Sequence, residues 1–189
     1  DDVDVIVELI GGDEPARTLI AAALSMGKAV VTANKHVIAH HGPELEGIAR
    51  RTGATLRFEA AVGGGIPVLG PLAGDLAGNR IERVRGIVNG TTNFILTAMT
   101  DETAPLDYDA ALAEAQRLGY AEADPSGDVE GHDAANKLVI LARLAFGSAV
   151  AFGWLLLAAI TGLVLTLPVP LAWTVPLGWI YGTAGLLGF

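Results

Sequence analysis

Cysteine is absent from this chain of 189 residues. Its absence excludes a disulfide-stabilised scaffold, a zinc site built on thiolates and a cysteine nucleophile. Basic side chains are also scarce, with 12 Lys and Arg against 21 Asp and Glu and a formal net charge of −9. Proteins that bind nucleic acids carry a basic stripe instead, so we expect no nucleic-acid partner.

Charged side chains are missing from the whole C-terminal end, because none lies beyond Arg143. Two uncharged runs, 149–167 and 171–189, flank a Pro-Val-Pro break at 168–170. At about 1.5 Å per residue, each run would nearly cross a hydrocarbon core of roughly 30 Å. Two core helices of a larger soluble protein are the alternative, but neither run has a polar face for water to wet. We therefore predict a two-helix membrane hairpin at 148–189, with membrane association through this tail.

Residues 1–147 alternate between apolar, β-branched segments and helical patterns. This alternation predicts an α/β fold with right-handed crossovers and a parallel sheet. The predicted strands are 3–10, 29–32, 55–60 and 80–88, and the predicted helices are 15–26, 43–51, 91–99, 108–118 and 131–146. Asp13 is the predicted cap of the first helix, and Pro43 and Gly53 bound the second.

Lysine occurs only three times, and two of these lysines stand where chemistry is expected. Lys35 follows the second predicted strand, at the carboxyl end that borders the ligand crevice of an open parallel sheet. Lys137 comes four residues after Asp133 on the last predicted helix, so the two share a face. From spacing alone, an ordinary surface ion pair is the favoured interpretation of Asp133 and Lys137.

Five carboxylates lie close together just before Lys137: Glu122, Asp124, Asp128, Glu130 and Asp133. Acids this close repel one another unless a cation or a substrate ammonium lies among them. A calcium loop is excluded, because Val129 occupies the place of the sharp-turn glycine and Ala135 that of the bidentate Glu. A preference for acids at helix N-termini explains only part of the cluster.

Two glycine-rich turns are further candidates for ligand contacts. Gly63-Gly64-Gly65 follows the third predicted strand, and both a tight packing turn and a ligand or ion cradle remain open. The NGTTN segment at 89–93 leads into a helix, with Thr91 or Thr92 as the predicted cap, and capping alone would explain it. The histidines lack the zinc-binding spacing with a carboxylate and are treated as structural: His36, His40, His41 and His132.

Four segments, taken in order, resemble the homoserine dehydrogenase family. They are TANK (32–35), FEAAVGGGIP (58–67), GIVNGTTNFIL (86–96) and GYAEADPSGDVEGHDAANKLVILA (119–142). The resemblance covers about residues 3–147. It implies interconversion of L-aspartate 4-semialdehyde and L-homoserine with NAD or NADP, on the route to threonine, isoleucine and methionine. It also implies a homodimer and a cytoplasmic location for residues 1–147.

The resemblance divides the chain into three parts. Residues 1–60 would be a partial NAD(P)-binding domain, the C-terminal part of a Rossmann-type parallel sheet. Residues 61–147 would be part of an α+β catalytic domain, and 148–189 an apolar helical tail unrelated to the family. The family's first strand, G-x-G-x-x-G turn and helix have no counterpart in this sequence. We therefore expect an incomplete form, arising from a fragment, a gene fusion or a frame change near residue 147, that is inactive as this chain alone.

The resemblance also assigns roles to individual positions. Lys137 matches the proton donor, and Lys35 matches the active-site lysine beside the nicotinamide and the substrate. The acids that match the substrate pocket are Glu122, Asp128 and Asp133. The positions that match cofactor contacts are Gly11, Lys35 and Gly119. A monovalent cation, usually Na⁺, would be held by Glu59 and the main chain at Val62, Gly64 and Ile66, because oxygen ligands suit a hard cation.

Two other classes of function stay open. The chain could be a membrane protein whose working part is the uncharged tail and whose charged part is a relic. It could also be a non-catalytic partner that binds an amino acid or assembles with complete subunits.

Overall fold

The computed structural model describes residues 2–147, and within this range the chain forms two compact units. The first unit comprises residues 2–81 and 136–147, and the second comprises residues 82–135. The membrane hairpin predicted at 148–189 lies outside the described residues. Among residues 2–147, no helix has both the length and the apolar character needed to cross a bilayer.

A three-stranded parallel sheet forms the centre of the first unit. Its strands, in spatial order, are β1 (Val5–Glu8), β2 (Ala29–Thr32) and β3 (Leu56–Arg57). Val5 pairs with Ala29, and Val30 pairs with Leu56. Parallel neighbours need crossover connections, and these are helices α1 (Ala16–Ser25) and α2 (Lys35–Thr52). The predicted α/β arrangement with a parallel sheet is confirmed.

The core of the first unit lies between the sheet and these two helices. Ile20 and Leu24 share one face of α1 because they are four residues apart, and both are fully buried. They pack with Val30 of β2 and with Val37 and Leu45 of α2. The two helices thus cover one side of the sheet. The loops and the helix N-termini meet at the carboxyl edge of its strands.

Helix α2 begins at Lys35, well before the predicted start at Pro43, so that prediction is wrong. The reason is a cap that the prediction missed: Asn34 Oδ1 accepts the N–H of Val37 at 3.1 Å. Pro43 lies inside the helix, where it removes one N–H donor without ending the helix. The predicted end is confirmed, since Gly53 adopts the left-handed conformation with φ of 72°.

The predicted cap of α1 at Asp13 is also wrong. The helix begins at Ala16, after Pro15, and the N–H of Thr18 in its first turn donates to Glu14 Oε2 at 3.3 Å. Asp13 Oδ1 instead contacts His41 Nε2 of α2 at 2.9 Å. The carboxylate is therefore directed away from the helix end that it was expected to cap.

Three of the predicted strands differ in the structure, and the first of them, predicted at 3–10, is limited to β1. The strand predicted at 55–60 is shortened to β3, and Glu59–Ala61 form a 3₁₀ turn after it. No strand forms at 80–88 within the described part of the chain. A strand is stabilised by its ladder partners, and among the described residues only β1, β2 and β3 pair with one another.

The remaining elements are helical. They are α3 (Leu69–Ala73), α4 (Gly90–Met99), α5 (Tyr108–Arg117), α6 (Ser126–Val129) and α7 (His132–Phe146). The helices predicted at 91–99, 108–118 and 131–146 are confirmed, whereas the short α6 was not predicted. In the second unit, α4 and α5 pack through Ile95, Ala111 and Ala115, which are buried.

The C-terminal part of helix α7 belongs to the first unit, where Arg143 contacts α2. Arg143 Nη2 lies 3.1 Å from Glu46 Oε1, and the guanidinium rests on the backbone of Gly42. A Cβ at Gly42 would overlap the guanidinium, so this close approach requires glycine. Arg143, on the helix that carries Lys137, thus contacts the helix that begins at Lys35.

Candidate functional site

A buried carboxylate ends strand β1. Glu8 is only 3% exposed, and its Oε1 accepts the main-chain N–H groups of Ile10 at 2.7 Å and Gly11 at 3.1 Å. Its Oε2 accepts the hydroxyl of Thr32 at 2.5 Å. Burial by itself raises the pKa of Glu8, but these hydrogen bonds outweigh it and leave the pKa below its ordinary value. A charged carboxylate thus holds the turn after β1 against the end of β2.

The same network reaches the helix that begins with Lys35. Thr32 Oγ1 accepts the N–H of Asn34 at 2.9 Å, and Asn34 Nδ2 donates to the carbonyl of Gly12 at 2.8 Å. Asn34 Oδ1 also caps α2. One chain of hydrogen bonds, from Glu8 through Thr32 to Asn34, therefore joins the turn after β1 to the first turn of α2.

Sequence reasoning missed this network. The available signals were Glu8 near the end of the apolar segment VDVIVELI and the Asn within the TANK motif. The predicted cofactor contact Gly11 lies in the turn that Glu8 holds. Its φ is 79°, and no atom lies within 4 Å of the place a Cβ would take. The main chain at Gly11 is therefore open to close approach, as a nucleotide contact requires.

The two predicted catalytic lysines belong to the first unit. Lys35 is the first residue of α2 and is half-buried. Lys137 lies on α7 and is also half-buried. Both lysines thus stand on well-formed helices, Lys35 at the carboxyl end of β2 as predicted.

Glu59, the predicted cation ligand, caps a helix in this structure. Its carboxylate accepts the main-chain N–H groups of Val68 at 2.6 Å, Leu69 at 2.9 Å and Gly70 at 2.6 Å, at the start of α3. Burial by itself raises the pKa of Glu59. The three hydrogen bonds lower it by more than burial raises it, so the pKa lies below its ordinary value. The carboxylate therefore remains charged, with its oxygens directed at main-chain donors.

The other predicted cation ligands lie in the turn between Glu59 and α3. Val62 is buried, whereas Gly64 and Ile66 are exposed. Ile66 N–H donates to the carbonyl of Gly63 at 3.0 Å, which closes the turn. Among residues 2–147, no three His, Asp or Glu side chains are placed to hold a metal ion. A cation here would therefore depend on main-chain carbonyls and Glu59, and it stays a prediction.

In the second unit, two of the predicted substrate-binding acids converge on one side chain. Asn89 Nδ2 donates to Asp128 Oδ1 at 2.7 Å and to Asp133 Oδ2 at 2.8 Å. Asn89 and Asp133 are buried, with 5% and 8% exposure. Asp128 lies on α6 and Asp133 in the first turn of α7, so the amide joins two helices to the start of α4.

Asn89 is also the cap of α4, which corrects the prediction of Thr91 or Thr92. Its Oδ1 accepts the N–H and the hydroxyl of Thr92, both at 2.8 Å. Thr91 Oγ1 instead donates to the carbonyl of Tyr120 at 2.7 Å. Asn89 was missed as a site residue because its partners Asp128 and Asp133 are far away in the sequence.

The remaining acids of the cluster have other surroundings. Asp124 Oδ1 accepts the N–H of Ser126 at 3.1 Å, and Glu130 Oε2 lies 3.2 Å from His132 Nε2. Glu122 is exposed, in the segment between α5 and α6. The five acids are thus divided among separate partners, and the structure brings Asp128 and Asp133 together but not all five.

Gly119, the other predicted cofactor contact, follows α5. Its φ is 79°, and no atom lies within 4 Å of the place a Cβ would take. Its N–H donates to the carbonyl of Gln116 at 3.0 Å, which ends the helix. Like Gly11, this glycine has an open main chain in a left-handed turn.

Comparison with known proteins gives matches along both units. The model of the homoserine dehydrogenase NAD-binding domain matches residues 1–59, which include the parallel sheet. The homoserine dehydrogenase family model matches residues 67–166. The second match therefore extends into the uncharged stretch predicted to be unrelated to the family.

Individual relatives agree with these models. The chain is 59% identical to homoserine dehydrogenase of Corynebacterium glutamicum, over 79% of this chain and 33% of that protein. The enzyme of Bacillus subtilis is 54% identical, over 77% of this chain and 33% of that protein. The chain thus spans about a third of the length of the curated relatives it matches.

Solved structures give the same result. A homoserine dehydrogenase from Thiobacillus denitrificans superposes with a TM-score of 0.75 at 54% identity, covering 80% of this chain and 35% of that one. A hyperthermophilic archaeal homoserine dehydrogenase in complex with NADPH superposes with a TM-score of 0.71 at 38% identity, covering 77% of this chain and 44% of that one. The fold, the four motifs and both family models agree, and the chain belongs to the homoserine dehydrogenase family.

Proposed function

We propose that this chain carries part of a homoserine dehydrogenase that reduces L-aspartate 4-semialdehyde to L-homoserine with NAD(P)H. The observation that carries the proposal is the match to the family across both units, which includes the motifs that hold Lys35 and Lys137. The chain spans a third of its curated relatives, so the activity of the whole enzyme is an inference for this chain.

Two glycines and one lysine supply the cofactor contacts in this proposal. Gly11 and Gly119 offer open main chain to NAD or NADP, and Lys35 lies at the carboxyl edge of the sheet. The network from Glu8 to Asn34 supports the proposal because it holds the Gly11 turn at the same edge as Lys35. When bound, the nicotinamide supplies the hydride.

The two lysines handle the charge that forms on the substrate. Hydride transfer to an aldehyde carbon leaves negative charge on its oxygen, and an ammonium nearby stabilises that charge. Lys137 donates the proton to this oxygen, and Lys35 faces the same cleft and assists it. Both lysines are half-buried.

The acids of the second unit bind the amino group of the substrate. Asp128 and Asp133 converge on Asn89, and Glu122 completes the set from the segment after α5. Two carboxylates held side by side attract a primary ammonium, which can donate to both. The same pair favours a second candidate function, an amino-acid-binding protein without turnover.

The proposal also extends to a cation, a second copy and the tail. Na⁺ would be held at Glu59, Val62, Gly64 and Ile66, and no chemical step depends on it. A homodimer is expected from the family. The uncharged residues 148–189 are proposed as a membrane hairpin, and recovery of the chain in the soluble fraction after carbonate washing would contradict that hairpin.

The decisive experiment measures NAD(P)H oxidation by the 189-residue chain with aspartate 4-semialdehyde. In an active preparation, we expect Lys137→Ala to lower kcat by roughly 10²–10⁴, because it removes the proton donor. The melting temperature should change little, since Lys137 is half-buried on an intact helix. Lys28→Ala is the matched control, because Lys28 is also half-buried and follows α1, where its amine donates to the main-chain carbonyl of Val3.

The outcomes separate the candidate functions. Near-normal turnover of Lys137→Ala would contradict the role of Lys137. Calorimetric binding of homoserine without any NAD(P)H oxidation would favour the amino-acid-binding protein. Absence of heat with homoserine would contradict the amino-acid-binding function, and turnover by the chain would contradict the expectation that it is inactive alone.

A further inference from the structure

The amide of Asn89 has every one of its hydrogen-bonding positions filled. An Asn side chain offers two N–H donors and one oxygen with two lone pairs. Both donors bind carboxylates, at 2.7 Å and 2.8 Å, and the oxygen accepts two donors from Thr92 at 2.8 Å each. The side chain is 5% exposed, so water does not compete for these positions.

The orientation of this amide is fixed by its partners. The main-chain N–H of Thr92 can only donate, so the atom that faces it must be the amide oxygen. The NH₂ group is then directed at Asp128 and Asp133. A rotated amide would place its oxygen against two carboxylates, which would leave buried acceptors without donors.

The neutral character of this donor matters for what the acids can bind. A Lys or Arg in the same place would also hold the two carboxylates, but it would cancel part of their charge. An amide orients both carboxylates and leaves their formal negative charge intact. The pair therefore stays attractive to a cationic group that approaches it.

We propose that Asn89 is a positioning residue that sets Asp128 and Asp133 for the primary ammonium of an amino-acid substrate. This inference rests on the proposed function and adds a residue to it. Asn89 joins two acids that lie 39 and 44 residues away in the sequence, on α6 and α7. It thereby makes one binding feature of two separate helices.

The capping role of Asn89 does not require its NH₂ group. A cap needs only an oxygen that accepts the N–H of Thr92, and Ser serves as well as Asn at this position. Asn89→Ser therefore keeps the cap of α4 and removes both donors to the acids. Asn93→Ala is the matched control, because Asn93 lies one turn further along the same helix.

The first experiment needs no ligand. In ¹⁵N-labelled chain, the side-chain amide resonances of Asn89 are compared by NMR among wild type, Asp128→Asn and Asp133→Asn. We expect each substitution to shift these resonances, because each replaces one of the two carboxylates that the amide contacts. Amide protons that do not respond to either substitution would overturn the proposal.

The second experiment compares homoserine with 4-hydroxybutanoate, which lacks only the amino group. By calorimetry, we expect the wild-type chain to prefer homoserine by at least about tenfold, as one charge-assisted hydrogen bond would give. Asn89→Ser should lose most of this preference and bind 4-hydroxybutanoate as the wild type does. Asn93→Ala should keep the wild-type preference.

The outcomes distinguish the positioning role from the proposed function. Asn89→Ser with an undiminished preference for homoserine would overturn the positioning role and leave the proposed function standing. A wild-type chain without any preference would overturn the proposed substrate and, with it, the ammonium as the group that Asn89 serves. Equal losses of affinity for both ligands in Asn89→Ser would show a merely structural role and also overturn the proposal.

Discussion

In the first unit, Glu8 and Glu59 direct their oxygens mainly at main-chain N–H groups, whereas in the second unit Asp128 and Asp133 share a side-chain amide. Main-chain donors belong to the loop itself, so a carboxylate that accepts them fixes the course of the loop. A side-chain donor fixes the acids relative to each other instead. In the first unit, Glu8 thereby holds the turn beside Lys35. In the second unit, Asp128 and Asp133 are held as a pair of negative charges.

The comparison also shows why carboxylates near a ligand site can have unlike roles. Glu8 bonds to the hydroxyl of Thr32 as well, and this links its loop to the next strand. Glu59 caps α3 through three donors. Substitutions that exchange or remove the donors test the distinction directly.

The largest effect is expected for Asn89→Asp, which keeps the shape and the cap but places a third carboxylate against Asp128 and Asp133. We expect about 3 kcal/mol lower stability at pH 7, because two charge-assisted hydrogen bonds become contacts between like charges. Repulsion raises the pKa of an acid in the folded state, so the deficit grows as the pH rises above the unfolded value. Urea unfolding at pH 7 measures the loss of stability, and urea unfolding at pH 4 shows whether the loss becomes smaller at low pH.

Asn89→Ser is the control for that experiment, because it removes the donors without adding a charge. Its deficit should be smaller and less dependent on pH. Equal deficits for the two variants at both pH values would show that Asn89 acts only as a cap.

The network in the first unit should respond to loss of the Thr32 hydroxyl. Thr32→Val has nearly the same shape, but it leaves Glu8 Oε2 and the N–H of Asn34 without this partner. We expect a loss of about 2 kcal/mol by urea unfolding, because both groups are buried. Thr32→Ser keeps the hydroxyl and should lose less than about 1 kcal/mol. Equal losses would mean that packing of the methyl group, rather than the hydroxyl, dominates.

The charge of Glu8 predicts a specific pH dependence of stability. Its pKa in the folded state lies below the ordinary value of 4.5, so the folded state binds the proton less readily than the unfolded state does. The stabilisation is therefore complete above that value and is lost as the pH falls through the folded pKa. The free energies of unfolding of wild type and Glu8→Gln should converge as the pH falls below 4.5 and through the folded pKa. A constant difference between them would contradict this assignment.

The smallest effect is expected for Glu59→Gln. The variant keeps one oxygen for the N–H groups of α3 but loses the charge that favours a helix N-terminus. We expect the start of α3 to lose about 0.5–1 kcal/mol of stability. The loss is measured by hydrogen exchange, as faster exchange of the main-chain amides at 68–70 with unchanged exchange in the sheet. Unchanged exchange at these amides would mean that the carboxylate does not hold α3.

How far the fold could be predicted depended on whether the signal was local. Strand β2 and helices α4, α5 and α7 were recognised because apolar period and turn residues lie within the segments themselves. The start of α2 was placed at Pro43, since proline favours the first helical position, although the Asn34 cap outweighs that preference. Residues 80–88 have the composition of a strand but no described ladder partner.

The residues of the candidate site could likewise be predicted only where the signal was local. The lysines and acids could be singled out because their residue types and spacing match a family motif. Asn89, Glu8 and Thr32 could not be found in this way, because each acts through a partner on a different element. Their importance becomes visible only when the chain has folded.

The sequence by itself determined the family, the parallel α/β plan and the residues available for chemistry, because these follow from motifs and local periodicity. Only the tertiary structure decided which donor each buried carboxylate receives. Glu59 became a helix cap, and Asp128 and Asp133 became partners of one amide. The physical reason is that a buried charge must find hydrogen-bond donors, and those donors come from whatever the fold brings near it.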